Sequence, residues 1–185
     1  TLQKVVSPDA RIRLEVNQVA RIDFVTGAPE KYAHLVEALS TVPERLRTVA
    51  TNARAASWAS APHEGGEWTA QHTLAHMALY AQKNGIFIRQ MATMTEPARL
   101  AFDEDAETAA LEARPVAELI ALVESEVSKT VDLLSGTPDA GWGRPGSIRG
   151  ARRSLRQQVQ SHAEHLQGHV DQIARDLHRA LADGR

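Results

Sequence analysis

The stretch His162-Ala163-Glu164-His165-Leu166-Gln167-Gly168-His169-Val170-Asp171-Gln172-Ile173 organises the chain. Its apolar residues recur at helical spacing, which predicts one long final helix from about Ile148 or Gly150 to Ala182. At about 100° per residue, its three histidines fall within roughly 60° of one another on the helix surface. His165 and His169 lie one turn apart and can reach a common point, and His162 with His165 is a second possible pair. The residues predicted to face the core from this helix are Leu155, Val159, Leu166, Val170, Ile173 and Leu177.

A histidine from a second helix completes a candidate metal site. The stretch Trp68-Thr69-Ala70-Gln71-His72-Thr73-Leu74-Ala75-His76 places His76 well inside another helix. Several buried imidazoles without partners would each cost roughly 1–3 kcal/mol, and an aliphatic core offers few partners. A divalent metal provides them, and neutral imidazoles suit zinc, nickel, iron or copper. Two ligands from one helix and one from another leave a coordination position open.

Four helical segments predict an all-α protein, an antiparallel four-helix bundle. Pro43 interrupts the first apolar stripe, so we expect a short helix up to about residue 40 and a main helix over about residues 42–57, with a single kinked helix as the alternative. The pattern Thr41-x-x-Glu44 is that of a capping box. Thr69 is the expected N-cap of the second helix, which runs to about residue 94. After a long acidic connection over residues 95–114, Pro115 opens the third helix.

Residues 1–28 differ from everything that follows. Residues 11–16 and 20–24 alternate polar and apolar side chains with period two, which favours a small β-hairpin or a pair of edge strands. A lone hairpin is marginal in water, so it would lie on the bundle or on a second subunit. The alternative is a partly ordered arm without catalytic relevance. We therefore predict an N-terminal arm, residues 1–28, and a bundle domain, residues 29–185.

The composition limits the classes of function. The chain has 185 residues, and its formal net charge of -2 gives no reason to expect a nucleic-acid partner. Aromatic residues make up only 4% of the chain, which disfavours a surface on which bases stack. It contains no cysteine, which excludes disulfides, thiolate zinc sites and a cysteine nucleophile. Because neither a membrane span nor a signal peptide is visible in the sequence, we expect no membrane partner and a cytoplasmic protein.

Three short motifs carry a family resemblance. The stretch 68–76, the preceding Thr41-Val42-Pro43-Glu44-Arg45-Leu46, and Glu164-His165-x-x-x-His169-x-x-Gln172-Ile173 together resemble the DinB-like (DinB/YfiT) metal-binding four-helix bundles over about residues 30–182. The resemblance implies His76, His165 and His169 as metal ligands. His72 takes a position commonly held by glutamate and is not an expected ligand. The family includes thiol transferases and maleylpyruvate isomerase-like enzymes that use low-molecular-weight thiols such as bacillithiol or mycothiol.

These observations lead to a hypothesis about activity. A divalent ion, zinc or nickel, would activate a small thiol or water to attack a small electrophilic substrate. His162 is the candidate for a group that supports the metal ligands, shuttles a proton or contacts the substrate, and Tyr80, Arg149 and Arg153 are candidate substrate contacts. The arginines between residues 144 and 156 can also be read as a solvated basic face.

Two other hypotheses remain open at this point, namely a metal-binding stress-response module without turnover and a purely structural bundle. A homodimer is the expected assembly.

Overall fold

The computed structural model describes residues 29–60 and 68–182. The predicted N-terminal arm lies outside the described residues, as do residues 61–67. The described helices are α1 (Glu30–Ser40), α2 (Val42–Thr51), α3 (Ser57–Ser60), α4 (Ala70–Thr93), α5 (Glu104–Glu112), α6 (Val116–Ser135), α7 (Asp139–Trp142) and α8 (Leu155–Ala182). Two strands, β1 (Pro145–Ile148) and β2 (Ala151–Ser154), form an antiparallel hairpin immediately before α8.

The predicted four-helix bundle is confirmed, with α1 and α2 together, α4, α6 and α8 as its four members. Every residue predicted to face inward from the last helix is buried, and so are Leu74, Met77 and Ile88 of α4. Burying each of these larger side chains contributes about 1.5–3 kcal/mol, which makes this aliphatic core the main source of stability. None of the helices described between residues 29 and 182 is both long enough and apolar enough to span a membrane.

Side-chain contacts give the helix directions. Along α4 and α8, Asn84 bonds Gln158 while Thr73 bonds Gln172, so these two helices run antiparallel. Helices α4 and α6 instead run parallel. Gln71, near the start of α4, contacts the residues just before α6, and Gly85, further along α4, lies against Thr130, further along α6. A parallel pair needs a long return connection, and residues 94–115 provide it.

The acidic connection folds as α5 and lies along α4. Asp103 caps α5 by accepting a hydrogen bond from the backbone N–H of Ala106. Lys83 pairs with Glu107, and His72 pairs with Glu112. Part of this acidic segment, which the sequence alone presents as a charged surface connection, is thereby brought to the histidine-bearing face of α4.

Helix boundaries match the predicted signals at some positions and not at others. Thr69 caps α4 as predicted, because its side chain accepts a hydrogen bond from His72 N. The predicted capping box at Thr41 is wrong, since the Thr41 hydroxyl donates back to Ala38 O. Thr41 is itself helical, so α1 and α2 form nearly one helix that Pro43 interrupts. The second of them ends at Thr51, before the predicted boundary at residue 57.

The predicted start of the last helix is also wrong, because residues 145–154 form the β1–β2 hairpin and α8 begins only at Leu155. Arg149 and Gly150 have φ angles of 50° and 80°, the positive values that a tight hairpin turn of this kind needs. Gly146 packs so closely on α4 that a Cβ there would meet Met91 Cγ at 2.8 Å. The hairpin therefore covers the end of the bundle and carries arginines that were expected on a helix.

Candidate metal centre

Three histidine side chains from two antiparallel helices converge at one point. His76 projects from α4, and His165 and His169 project from α8 one turn apart. Their candidate ligand atoms all lie within 4.8 Å of one another. His165 Nε2 is 3.2 Å from His76 Nε2 and 3.1 Å from His169 Nε2. We call these residues the histidine triad.

A carboxylate faces the outer nitrogen of His76. Glu104 Oε1, at the start of α5, lies 3.3 Å from His76 Nδ1. Because a carboxylate oxygen attracts an N–H group and repels a nitrogen lone pair, this ionic contact favours the tautomer with the proton on Nδ1. Nε2 of His76 then presents its lone pair to the centre of the triad, an arrangement typical of metal-ligating histidines.

A chain of three hydrogen bonds fixes the orientation of His169. Thr73 Oγ1 donates to Thr69 O at 3.1 Å, so its lone pair accepts from Gln172 Nε2 at 3.1 Å. This sets the orientation of the Gln172 amide and places its Oε1 at 3.1 Å from His169 Nδ1. Since Oε1 is an acceptor, His169 Nδ1 carries the proton and Nε2 offers its lone pair.

The surroundings keep two of the triad imidazoles, those of His76 and His165, neutral. Burial lowers the pKa of His165 to about 3, and the neighbouring imidazoles of the triad and His162 add to the shift. Burial also lowers the pKa of His76, with a smaller contribution from His72. Tyr80 stacks on His165 with ring centroids 3.6 Å apart, which holds the plane of that imidazole. Neutral, oriented imidazoles are the form that binds a metal ion.

The donor set fits a divalent metal ion. With His76 Nε2 and His169 Nε2 both lone-pair acceptors, His165 can donate one proton at most and satisfies only one of them well. A cation at the centre would satisfy all three. Ligands about 2.0–2.1 Å from a tetrahedral zinc ion are about 3.3–3.4 Å apart, close to the two Nε2 separations in the triad. The residues present could therefore hold a metal.

The remaining predicted histidines lie outside the triad. His72 Nδ1 bonds Glu112 Oε2 at 2.7 Å, and Trp68 packs against both His72 and His76. His162 is completely buried and stacks on Tyr80, with ring centroids 5.5 Å apart. Neither of its nitrogens has a hydrogen-bond partner among the described residues. The role of His162 as a proton shuttle or substrate contact stays a prediction.

The predicted substrate contacts occupy different places. Tyr80 lies half-buried at the edge of the triad, and Arg153 reaches Gln158 Oε1 at 3.5 Å. Arg149 is exposed in the turn of the hairpin. Sequence reasoning missed Glu104 and the role of Gln172. Gln172 had a signal, because it lies three residues after His169 on the same helix, whereas nothing in the local pattern links Glu104 to His76.

Replacing Gln172 by leucine is expected to lower zinc affinity by about 10–100-fold, the usual effect of losing a partner that orients a ligand. The variant removes the acceptor for His169 Nδ1 and frees the imidazole to rotate. Gln172→Glu is expected to retain most of the affinity, because one carboxylate oxygen still accepts from His169 Nδ1 and the Thr73 hydroxyl can turn from Thr69 O to donate to the other. Competition with a chromogenic zinc chelator measures both variants. Gln167→Leu is the control, since Gln167 bonds Ala38 O on another helix; equal affinities for all variants would contradict the assignment.

Comparisons with known proteins agree with the fold. The structure is similar to that of YfiT from Bacillus subtilis, described as a probable metal-dependent hydrolase with an unusual four-helix bundle topology. The two structures superpose with a TM-score of 0.74 at 17% sequence identity, and the alignment covers 98% of this chain and 93% of YfiT. It is also similar to a mycothiol-dependent maleylpyruvate isomerase, with a TM-score of 0.65 at 14% identity, covering 76% of this chain and 60% of the isomerase. No curated protein matches the sequence.

The sequence itself matches the DinB superfamily over residues 38–173. This range extends from α1 into α8 and contains all three histidines of the triad. Because the match spans well over half of the chain, and the structure has the bundle that the resemblance predicted, the chain belongs to the DinB superfamily.

Proposed function

We propose that this protein is a metal-dependent enzyme that transfers a low-molecular-weight thiol to a small electrophile or uses such a thiol to isomerise one. His76, His165 and His169 would hold the metal, zinc or nickel. The observation that carries the proposal is the convergence of three imidazoles, two of which face Glu104 and Gln172 through Nδ1 and so turn Nε2 towards the centre. When bound, the ion would lower the pKa of a thiol or water in its open position and so supply a nucleophile.

The protein's own groups would orient the reactants. His165 and His169 are half-buried, so part of each imidazole is open to solvent. Burial raises the pKa of the Tyr80 phenol, against the smaller effects of Ser161, Arg99 and Arg153, so Tyr80 keeps its proton. A protonated phenol beside the triad can donate a hydrogen bond to an oxygen of the electrophile as negative charge develops there.

Hydrolysis is the second candidate function. The similarity to YfiT, described as a probable metal-dependent hydrolase, favours it. The same three histidines and Tyr80 would then serve a water nucleophile instead of a thiol. The two functions differ in whether turnover depends on an added thiol.

Metal analysis of the native protein followed by a thiol screen tests the proposal. We expect about one metal ion per chain, and turnover of a model electrophile such as 1-chloro-2,4-dinitrobenzene with bacillithiol, mycothiol, glutathione or coenzyme A. Chelation is expected to abolish turnover and metal to restore it. Ester hydrolysis without thiol would favour the hydrolase. Stoichiometric metal with no turnover in either assay would favour a metal-binding module and overturn the enzymatic proposal.

A further inference from the structure

Two arginines flank a buried pair of amides on the seam between α4 and α8, beyond Tyr80 from the triad. Arg99 Nη1 donates to Asn84 Oδ1 at 3.0 Å, and Arg153 Nη1 lies 3.5 Å from Gln158 Oε1. Gln158 Nε2 also donates to Asn84 Oδ1, at 3.2 Å, which joins the two amides. Both amide side chains are buried, whereas the arginines reach the surface. The seam thus presents two guanidinium groups that neutral side chains hold in place.

The hairpin explains why these two arginines face the seam. Arg99 is fixed by its backbone, whose N–H donates to Ser147 O in β1 at 2.8 Å. Arg153 in β2 is paired with Gly146 in β1, and Gly146 packs on α4. Because paired residues of an antiparallel hairpin point to the same side, the Arg153 side chain points to the α4 side of the hairpin. Its neighbour Arg152 leaves on the opposite face, as alternation along a strand requires. Arg152 forms an ion pair with Glu96 there.

Among the described residues, neither seam arginine has a carboxylate partner. No Asp or Glu oxygen in that part of the chain lies within 4.0 Å of Arg99 or Arg153, although other arginines, such as Arg89 with Glu126, are paired. Arg99 also lies over the Phe102 ring, 5.5 Å from its centroid, which leaves its charge without a neutralising partner. Two guanidinium groups held only by neutral side chains favour an anionic ligand at the seam.

A buried donor beside them adds to this preference. Asn84 Nδ2 is completely buried and has no acceptor among the described residues. Exchanging the oxygen and nitrogen of the Asn84 amide does not supply the missing acceptor. Asn84 Oδ1 already accepts from Arg99 and Gln158, and the exchange would place the Asn84 NH₂ group against these two donors. The seam therefore carries an excess of hydrogen-bond donors, which an acceptor with negative charge would compensate.

A surface groove runs from Arg153 along the first turns of α8. It has a volume of about 390 Å³, within the range of small-molecule sites. Arg153 lines one part of it and Ser161 another, and Ser161 interacts with Tyr80, whose ring lies on His165. Glu164 is the acidic residue of the groove, and Gln160 Nε2 donates to it. The groove can therefore hold a small molecule beside Arg153, and Ser161 links it to Tyr80.

We propose that Arg99 and Arg153 form a subsite for a carboxylate group of the molecule that reacts at the triad. The inference rests on the proposed function and specifies its substrate class. Gln158 and His165 are seven residues apart on α8, about 10 Å along the helix axis. The substrate is thus an elongated small molecule that carries a carboxylate about 10 Å from its reacting group. That carboxylate belongs either to the thiol or to the electrophile, and both provide the same chemistry for two arginines.

Calorimetric binding to the protein as purified tests the subsite. S-methylglutathione and its diethyl ester represent the thiol, and 5-(4-chloro-3-nitrophenyl)pentanoate and its methyl ester, in which the chain places the carboxylate far enough from the reacting carbon, represent the electrophile. For at least one pair we expect the acid to bind about tenfold more tightly than the ester, the effect of one charge-assisted hydrogen bond. Arg99→Gln and Arg153→Gln are each expected to remove most of that preference, and Arg153→Lys to retain part of it.

The controls separate this inference from the proposed function. Arg175→Gln removes an exposed arginine further along α8 and is expected to keep the wild-type preference. The methylated sulfur cannot form a thiolate, so the first pair reports on the subsite whether or not the protein turns over a thiol. Equal affinity for acid and ester in both pairs, or an undiminished preference in both glutamine variants, would overturn the subsite. A protein without metal or turnover that keeps an Arg99-dependent preference would overturn only the proposed function.

Discussion

Replacing His165 by alanine is expected to abolish stable metal binding. His165 Nε2 lies within 3.2 Å of the Nε2 atoms of both other triad histidines, so the variant removes the central ligand. Losing a partner that only orients a ligand lowers affinity about 10–100-fold, and losing the ligand itself is expected to exceed that. Elemental analysis after dialysis should find about one ion per chain in the wild type and far less in the variant.

The same substitution should remove metal-linked stability. A ligand at about 1,000 times its Kd stabilises the folded state by about 4 kcal/mol, so chelation is expected to lower the unfolding temperature of the wild type clearly and that of His165→Ala only slightly. His72→Ala is the matched control, because His72 lies one turn before His76 on α4 and bonds Glu112 instead of the triad. A His165→Ala variant that keeps full metal content would refute the candidate centre.

Local sequence signals predicted the framework of the site. The spacing of Leu155, Val159 and Leu166 fixes which face of α8 is buried, and the same periodicity places His165 and His169 together at its edge. The identification of His76 as the third histidine came from its position in a second helix and from the family resemblance. These features could be predicted because each depends on residues close together in sequence or on a motif.

The unpredicted features depend on contacts between distant segments. Arg149 has no intrinsic preference for its positive φ, so the hairpin that replaces the first turns of the predicted helix is stabilised by Gly150 and by the packing of Gly146 on α4. Glu104 reaches His76 only because α5 folds back along α4. The two guanidinium groups of the α4–α8 seam likewise meet because residues 97–99 pair with β1. No periodicity in the sequence indicates such pairings.

His162 should make the metal-free protein sensitive to acid. Burial lowers the pKa of His162 to about 3 from an ordinary value of 6.5, with a smaller contribution from the charge of Arg89. As pH falls below about 6.5, the unfolded chain binds a proton at this position and the folded protein does not. The free energy of unfolding therefore falls by about 1.4 kcal/mol per pH unit from this residue, and the fall continues down to about pH 3. His76 and His165 shift in the same direction and add to it.

In the variant His162→Leu, the contribution of this one titrating group to the pH dependence of the free energy of unfolding is expected to disappear. Its stability relative to the wild type should be about 2 kcal/mol greater at pH 5 than at pH 7.5, because the wild type loses that amount between pH 6.5 and pH 5. Urea unfolding of chelator-treated protein at both values measures the difference. His162→Met serves as a second variant, since a change in packing affects both pH values equally whereas the missing proton affects only the lower one. An unchanged pH dependence in both variants would mean that His162 is hydrated or partnered in the folded protein, and that its imidazole is a better candidate for proton transfer than its burial indicates.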